Sequence, residues 1–381
     1  MKQTSGFIST YSADTFGVCS ALYELGGMVV MHDASGCNST YTTHDEPRWY
    51  DMDSMVYISA LTEIEAIMGD DSKLIEDIVN AAEELHPRFI AIAGTPIPAM
   101  TGFDADATAR VIEDRTGIPA FGFATTGMKS YVHGASLAFE AIAERFVEQL
   151  FSAKGQPENN SYETKESEKE SEGKTKRINI LGLTPLDFSV NGSDGSIKEF
   201  YEKKGYEIVS SWAMGSSLEE IGRSAGADLN IVVSETGLGA ALKLKERFGI
   251  PYKVGTPFGG EDIDVTDEIE GALNPNAEVL ILGERVGSLS LAKYLTVKTG
   301  KKCMGYATTD SDEDEIINVI NSLKDIQTII ADPLFKPILK LVEKEKSERI
   351  QFISLPHEAF SGRLYRADIP NLIIKVPFDN I

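Results

Sequence analysis

Short apolar runs alternate with stretches of helical spacing along most of the chain. Met28–His32, Met55–Ser59, Phe89–Ala93 and Pro119–Ala124 are nearly unbroken apolar runs of five or six residues. Continuous runs, rather than every-second-residue patterns, mark strands buried on both faces of a parallel sheet. Between them, Ser72–Leu85 and Asp104–Thr116 space their apolar residues three and four apart, as a one-sided helix does. Gly117 and Pro119 then supply a helix stop. The later part repeats the pattern twice. Strands are predicted at Arg177–Leu183, Gly205–Val209 and Leu229–Val233, with helices at Gly195–Lys204 and Gly237–Phe248. After Asn274-Pro275-Asn276 a further set of strands is predicted at Ala277–Gly283, Cys303–Ala307, Thr328–Ala331 and Gln351–Ser354.

One segment breaks the rhythm. Gln156–Arg177 holds no Ile, Leu, Val, Met, Phe or Trp, and carries six acids and five bases. It has nothing to bury, so it is expected to be a solvated linker. The chain therefore divides into an N-terminal α/β domain over 1–155, the linker over 156–177, a second α/β domain over 178–274 and a third over 275–381. The fold class is α/β, with three small Rossmann-like, doubly wound parallel sheets. Such sheets bind ligands beyond the carboxyl ends of their strands and in clefts between domains.

Composition narrows the function. The 381 residues contain 36 Lys plus Arg against 59 Asp plus Glu, a net charge of −23. That balance argues against nucleic acid and anionic membrane surfaces, which are held by basic faces. Three cysteines cannot make a disulfide framework. No run approaches the ~18 apolar residues of a membrane span, and Met1–Ser12 lacks the apolar core of a signal peptide. A cytoplasmic, reducing location follows as the expectation, with thiols available as metal ligands.

Several motifs are absent: there is no phosphate loop, no C-x-x-C and no H-E-x-x-H. Gly222-Arg-Ser-Ala-Gly226 spells G-x-S-x-G, but a nucleophile elbow needs a strand before it and a helix after it. Here the predicted order is reversed. Gly237-Leu-Gly239 lacks the third glycine of a dinucleotide fingerprint and reads as a plain helix start. The informative stretch is Thr15–Asp45. Cys19 stands in a helical pattern read as a helix start, and Cys37, after Gly36, just past the first strand. A helix N-terminus would lower a thiol pKa, and Gly36 would permit close backbone approach. Two thiols in one chain fall short of the four that an iron–sulfur cluster usually takes, and small buried apolar residues are the plain alternative.

Taken in order, these segments resemble the component 1 family of nitrogenase-type oxidoreductases. That family includes nitrogenase subunits, the dark protochlorophyllide reductase and the nickel-sirohydrochlorin reductive cyclase. The resemblance runs from Cys19 through Ser35-Gly36-Cys37-Asn38-Ser39-Thr40-Tyr41 and Ser59–Leu74. It continues through Ile92–Asp104 and Lys245–Tyr252 to Leu355-Pro356-His357. It implies a [4Fe–4S] cluster shared between two subunits, with Cys19 and Cys37 of each chain as the metal ligands. It also implies an iron-protein-like ATPase as electron donor, either a homodimer or a heterodimer with a paralogue, and room for a further substrate-like metallocofactor.

Departures from the family shape the expectation. Thr95, in Gly94-Thr95-Pro96, stands where a third cluster cysteine is usual, and Ser234-Glu235-Thr236 carries no cysteine where nitrogenase anchors its cofactor. Dinitrogen reduction is therefore not expected. The expected activity is an ATP-dependent two-component reductase acting on a substrate in the interdomain cleft. A metallocofactor-assembly scaffold and a non-catalytic binding paralogue are the alternatives. His32, Asp33 and His357 are candidate proton donors or substrate contacts. Glu63 and Glu65 are candidates for partner docking, and Arg363 and Arg366 for pairing with substrate carboxylates. His44-Asp45-Glu46 reads as a solvated turn.

Overall fold

The computed structural model describes residues 6–34, 36, 38, 41, 45–147, 175–271, 273–360, 363 and 368–378. It contains three four-stranded parallel sheets. In the first, β1 (Met28–Met31) lies between β2 (Met55–Ile58) and β3 (Ile90–Ala93), and β4 (Ala120–Phe123) forms the far edge. Met28 is in register with both Met55 and Ile90, and Ile90 with Ala120. The second sheet joins β5 (Arg177–Leu183), β6 (Glu207–Ala213), β7 (Leu229–Val232) and β8 (Tyr252–Val254) in the order β6-β5-β7-β8. The third joins β9 (Val279–Gly283), β10 (Cys303–Ala307), β11 (Thr328–Ala331) and β12 (Gln351–Ser354) in the order β10-β9-β11-β12. Each sheet thus has the same 2-1-3-4 order, with a topological switch beside its first strand, where such folds place ligands.

The helices follow local rules. The helix α1 spans Asp14–Leu22, α2 Glu63–Met68 and α3 Ser72–Leu85. In α3, Leu74, Ile78 and Ala82 recur every fourth residue and are all buried. The helices α4 (Pro96–Thr101) and α5 (Ala105–Thr116) follow β3. Asp104 caps α5 by accepting the Ala107 N–H, and Gly117 closes it at φ 70°. The apolar pattern does not predict the helix α6 (Tyr131–Ile142), the helix Arg285–Thr299 or the strand β8. The expected linker falls mostly outside the described residues.

Two sets of contacts hold α1 and the segment before it in place. Gly17 of α1 crosses Gly134 of α6 so closely that a Cβ on either would overlap a backbone carbonyl of the other helix. The segment before α1 forms a strap. Tyr11 bridges to Phe360 and Ala13 to Ser130, and Ser12 N–H donates to the Ala359 carbonyl over 2.7 Å.

Candidate functional site

The carboxyl ends of the first sheet gather one set of expected residues. His32 and Asp33 follow β1, Ser59 follows β2 and Thr95 follows β3. Thr95 Oγ1 donates to the His32 carbonyl over 2.8 Å, and Asn38 donates to Asp33 Oδ2 over 2.8 Å. His32 Nδ1 lies 2.9 Å from Ser59 Oγ, and its ring centroid 4.4 Å from that of Phe103. Burial outweighs the pull of Asp33 and Glu65 and lowers its pKa to about 4. The imidazole is therefore neutral at physiological pH.

Cys19 is not at a helix start. It is the sixth of the nine residues of α1 and is fully buried. Burial, and then the charge of Glu46, push its thiol well above the ordinary range. In the single chain the thiol form is favoured, and a bound cation would be needed to reverse that. Among the described residues no three metal-ligating side chains meet. Cys19 fits a cluster only as one donor of a site completed by Cys37 and a second chain; Cys37 lies outside the described residues, as do His44 and Arg366. Gly36 is exposed, and among the described residues nothing lies within 4 Å of a Cβ placed there.

The turn after Cys37 also differs from expectation. Asp45, Glu46 and Arg48 are buried. Arg48 grips both Glu46 oxygens, over 2.7 and 3.0 Å, and reaches Glu24 and the Ser20 carbonyl. Its guanidinium also stacks on Tyr23. This network ties the turn to α1. Glu63 and Glu65 lie on α2, where Glu65 completes a capping box with Thr62. No residue of α2 is buried. Ile64, Ile67 and Met68, with Met100 of α4, are each more than 70% exposed, an unusual apolar display for a surface helix.

A second site forms where the second and third sheets present their carboxyl ends to each other. A cavity of about 100 Å³, partly open to solvent, lies there, lined on one side by Tyr11 of the strap. Asp187 enters after β5, Thr256 after β8, Glu284 after β9, Asp332 after β11 and His357 after β12. Most of the remaining wall is apolar, including Phe188, Phe258, Leu291, Leu355 and Leu372. Asp187 Oδ1 accepts from the Tyr131 phenol over 2.5 Å and Oδ2 from Thr184 Oγ1 over 2.6 Å. Glu284 caps the helix Arg285–Thr299, accepting the N–H groups of Glu235, Val286 and Gly287.

Burial dominates the electrostatics of this cavity. It raises the pKa of Glu284, reinforced by Asp187 and Glu235. It raises Asp187 against the hydrogen bonds that favour its charged form. Two such carboxyl groups titrate as a pair and hold protons at pH values where free carboxylates have lost them. His357 behaves oppositely. Burial and then Arg363 lower its pKa to about 3. Its Nδ1 accepts from the Ala359 N–H over 3.2 Å, so its proton sits on Nε2. Arg363 is paired with Asp332, which also receives the His357 N–H over 2.8 Å. Arg363 therefore orders the loop around His357.

The structure brings His32, Asp33 and Thr95 together at one site, and His357 and Arg363 together at another. Sequence reasoning missed Asp187, Glu284, Tyr131 and Asp332. The available signal was an acid directly after an apolar strand, as in Gly283-Glu284 and Ala331-Asp332. Ser224 of the G-x-S-x-G match is buried and bonded to Ser210, with no elbow geometry.

Comparison with known proteins agrees with this architecture. The chain is 27% identical over 203 residues to the nitrogenase iron-molybdenum cofactor biosynthesis protein NifE of Clostridium pasteurianum, covering 53% of this chain and 40% of that protein. It is 23% identical over 251 residues to a light-independent protochlorophyllide reductase polypeptide of Prosthecochloris aestuarii, covering 52% and 45%. It thus spans less than half the length of these relatives. The solved structure "Nitrogenase Cp1 at pH 6.5" superposes over 93% of this chain and 69% of its own, with TM-score 0.56 and 17% identity. No helix among the described residues is long and apolar enough to cross a membrane. Residues 14–290 match the nitrogenase component 1 type oxidoreductase family, and the chain belongs to it.

Proposed function

We propose that this protein is the catalytic component of an ATP-dependent, two-component reductase whose substrate occupies the cavity between the second and third domains. The carrying observation is the pair of buried acids Asp187 and Glu284 at the cavity wall, whose burial favours their protonated forms. A reduction that adds electrons to an unsaturated substrate also needs protons, and carboxyl groups with raised pKa values carry them at neutral pH. His357 Nε2–H orients the substrate by hydrogen bonding, while Tyr11 and the apolar wall restrict water. Asp33 and the neutral His32 belong to the first-sheet site beside the Cys37 loop.

In this reading Cys19 and Cys37 of two chains hold a shared [4Fe–4S] cluster, which supplies one-electron transfer when bound. The partner is an iron-protein-like ATPase, and the exposed Ile64, Ile67, Met68 and Met100 form its docking face, flanked by Glu63. The dimer is of two identical chains or of this chain with a paralogue, and acts in the cytoplasm. The names of the NifE relatives favour a second reading, a metallocofactor-assembly scaffold. Against it, the cavity wall offers one imidazole and no thiol among the described residues.

The test is protein purified and reconstituted without oxygen. Iron per chain, the dithionite-reduced EPR spectrum and native mass are measured for wild type and Cys19→Ser. One shared cluster in a dimer gives about two irons per chain, lost in the variant. No iron, or iron indifferent to Cys19→Ser, rejects the reductase and leaves a scaffold or binding paralogue.

A further inference from the structure

We infer that a groove along the outer edge of the third sheet binds an elongated organic acid, an apolar body ending in a carboxylate, with Arg285 as the carboxylate anchor. The groove lies apart from the cavity between the sheets. Glu284 lines the cavity, while its chain neighbour Arg285 lines the groove. The groove holds about 820 Å³, within the ~300–1,000 Å³ of small-molecule pockets. The strand β10 is an edge of its sheet, and each of its residues, Cys303–Ala307, lines the groove. The helix Arg285–Thr299 supplies a second wall through Leu289, Ala292 and Val297.

The groove has a direction. Ala307 is in register with Gly283, so Arg285 stands near the carboxyl end of β10. At the other end the Cys303 N–H donates to Thr296 Oγ1 over 3.3 Å. The length of β10 separates the two ends by about 13 Å. Arg285 Nε donates to Glu235 Oε1 over 2.8 Å, and Nη1 makes a long contact of 3.4 Å to the Ile269 carbonyl. A guanidinium has five N–H donors in a planar fork. Arg285 therefore keeps Glu235 on Nε while its terminal nitrogens, on a side chain 42% exposed, take a ligand carboxylate. Lys293 is a second lining cation, and it holds the lining acid Glu268 over 2.6 Å. Ala272, the one residue of 265–274 outside the described set, carries no charge. Between the ends, Ile269, Leu289 and Met304 present apolar surface, and Val297 is 79% exposed. An apolar body laid along this wall removes that surface from water. A ligand ammonium at the Arg285 end would face two like charges.

Cys303, half-buried in the groove wall, is the reporter. The full chain is treated with N-ethylmaleimide in the presence of decanoate or decylammonium, each below its micellar concentration. Alkylation of the Cys303 peptide is followed by mass spectrometry, which separates it from Cys19 and Cys37. Decanoate is expected to half-protect Cys303 at a concentration at least ~10-fold below that of decylammonium. Arg285→Gln, with its folding verified by thermal unfolding, should raise the decanoate concentration ~10-fold and leave that of decylammonium unchanged. No protection by decanoate, equal or better protection by decylammonium, or decanoate protection indifferent to Arg285→Gln overturns the inference. If the variant does not fold, the contrast between the two probes on wild type decides alone. The assay needs neither cluster nor electron donor, so its outcome is independent of the proposed reductase.

Discussion

The Tyr131 phenol donates to Asp187 Oδ1 across 2.5 Å, joining the first residue of α6 to the turn after β5. A residue of the first domain thereby favours the charged form of a carboxyl group of the second, against the burial that raises its pKa. Tyr131→Phe leaves Oδ1 without that donor in a buried setting, while Thr184 stays on Oδ2. The expected loss is about 1–3 kcal/mol, read as a lower urea midpoint with an unchanged slope. An unchanged midpoint would show that the bond contributes nothing net.

Raised carboxyl pKa values also make stability depend on pH. Glu284 and Asp187 bind protons more readily folded than unfolded. The folded state therefore holds more protons above the ordinary carboxylate range, and stability falls as pH rises from there through the raised values. Wild type should lose melting temperature from about pH 6.5 to 8, above the range in which the two histidines act in the opposite sense, and Glu284→Gln should flatten that decline. A decline of the same steepness in the variant would remove Glu284 as its source. On the acid side, His32 and His357 carry lowered pKa values, so stability falls as pH drops below the ordinary histidine range.

Close backbone approach makes a sharper demand at Gly17. Gly17→Ala drives a methyl group into the Tyr131 carbonyl, a backbone atom that cannot swing aside. Overpacking of this kind costs about 1–3 kcal/mol, sometimes more. Chemical denaturation should place the variant in that range, and a near-neutral result would mean that α1 and α6 slide apart readily.

The apolar face of α2 predicts the reverse combination. Ile67 is 74% exposed. Ile67→Glu should therefore change stability by no more than about 0.5 kcal/mol, while sharply lowering cross-linking to an iron-protein ATPase. Undiminished cross-linking would exclude this face as the docking surface.

The fold was legible where burial on both faces writes a nearly continuous apolar run. Cys303–Ala307, Thr328–Ala331 and Gln351–Ser354 match their predicted bounds, as does Ser72–Leu85. The helix α6 left no such trace. Tyr131, Val132, Ala135, Ala138, Phe139 and Ile142 bury more than one side of it, so no polar stripe marks the period. Cys19 drew attention as a thiol, but its depth in α1 depends on packing against α6 and the Arg48 network, contacts distant in sequence. The cavity was hidden for the same reason. Asp187, Glu284 and Asp332 lie on separate strand ends that meet only when two sheets face each other.

The strap from Tyr11 to Ala13 has a consequence for biosynthesis. Tyr11 bridges to Phe360, nearly the whole chain away. At about 5–20 residues per second, a ribosome needs tens of seconds to deliver that partner. Until then Tyr11 and Ser12 have no third domain to bridge to, and the cavity lacks its floor. The nascent first domain must therefore persist with an open edge, and the cavity can form only after the last strand has been made. Translation order thus sets when the cavity first exists.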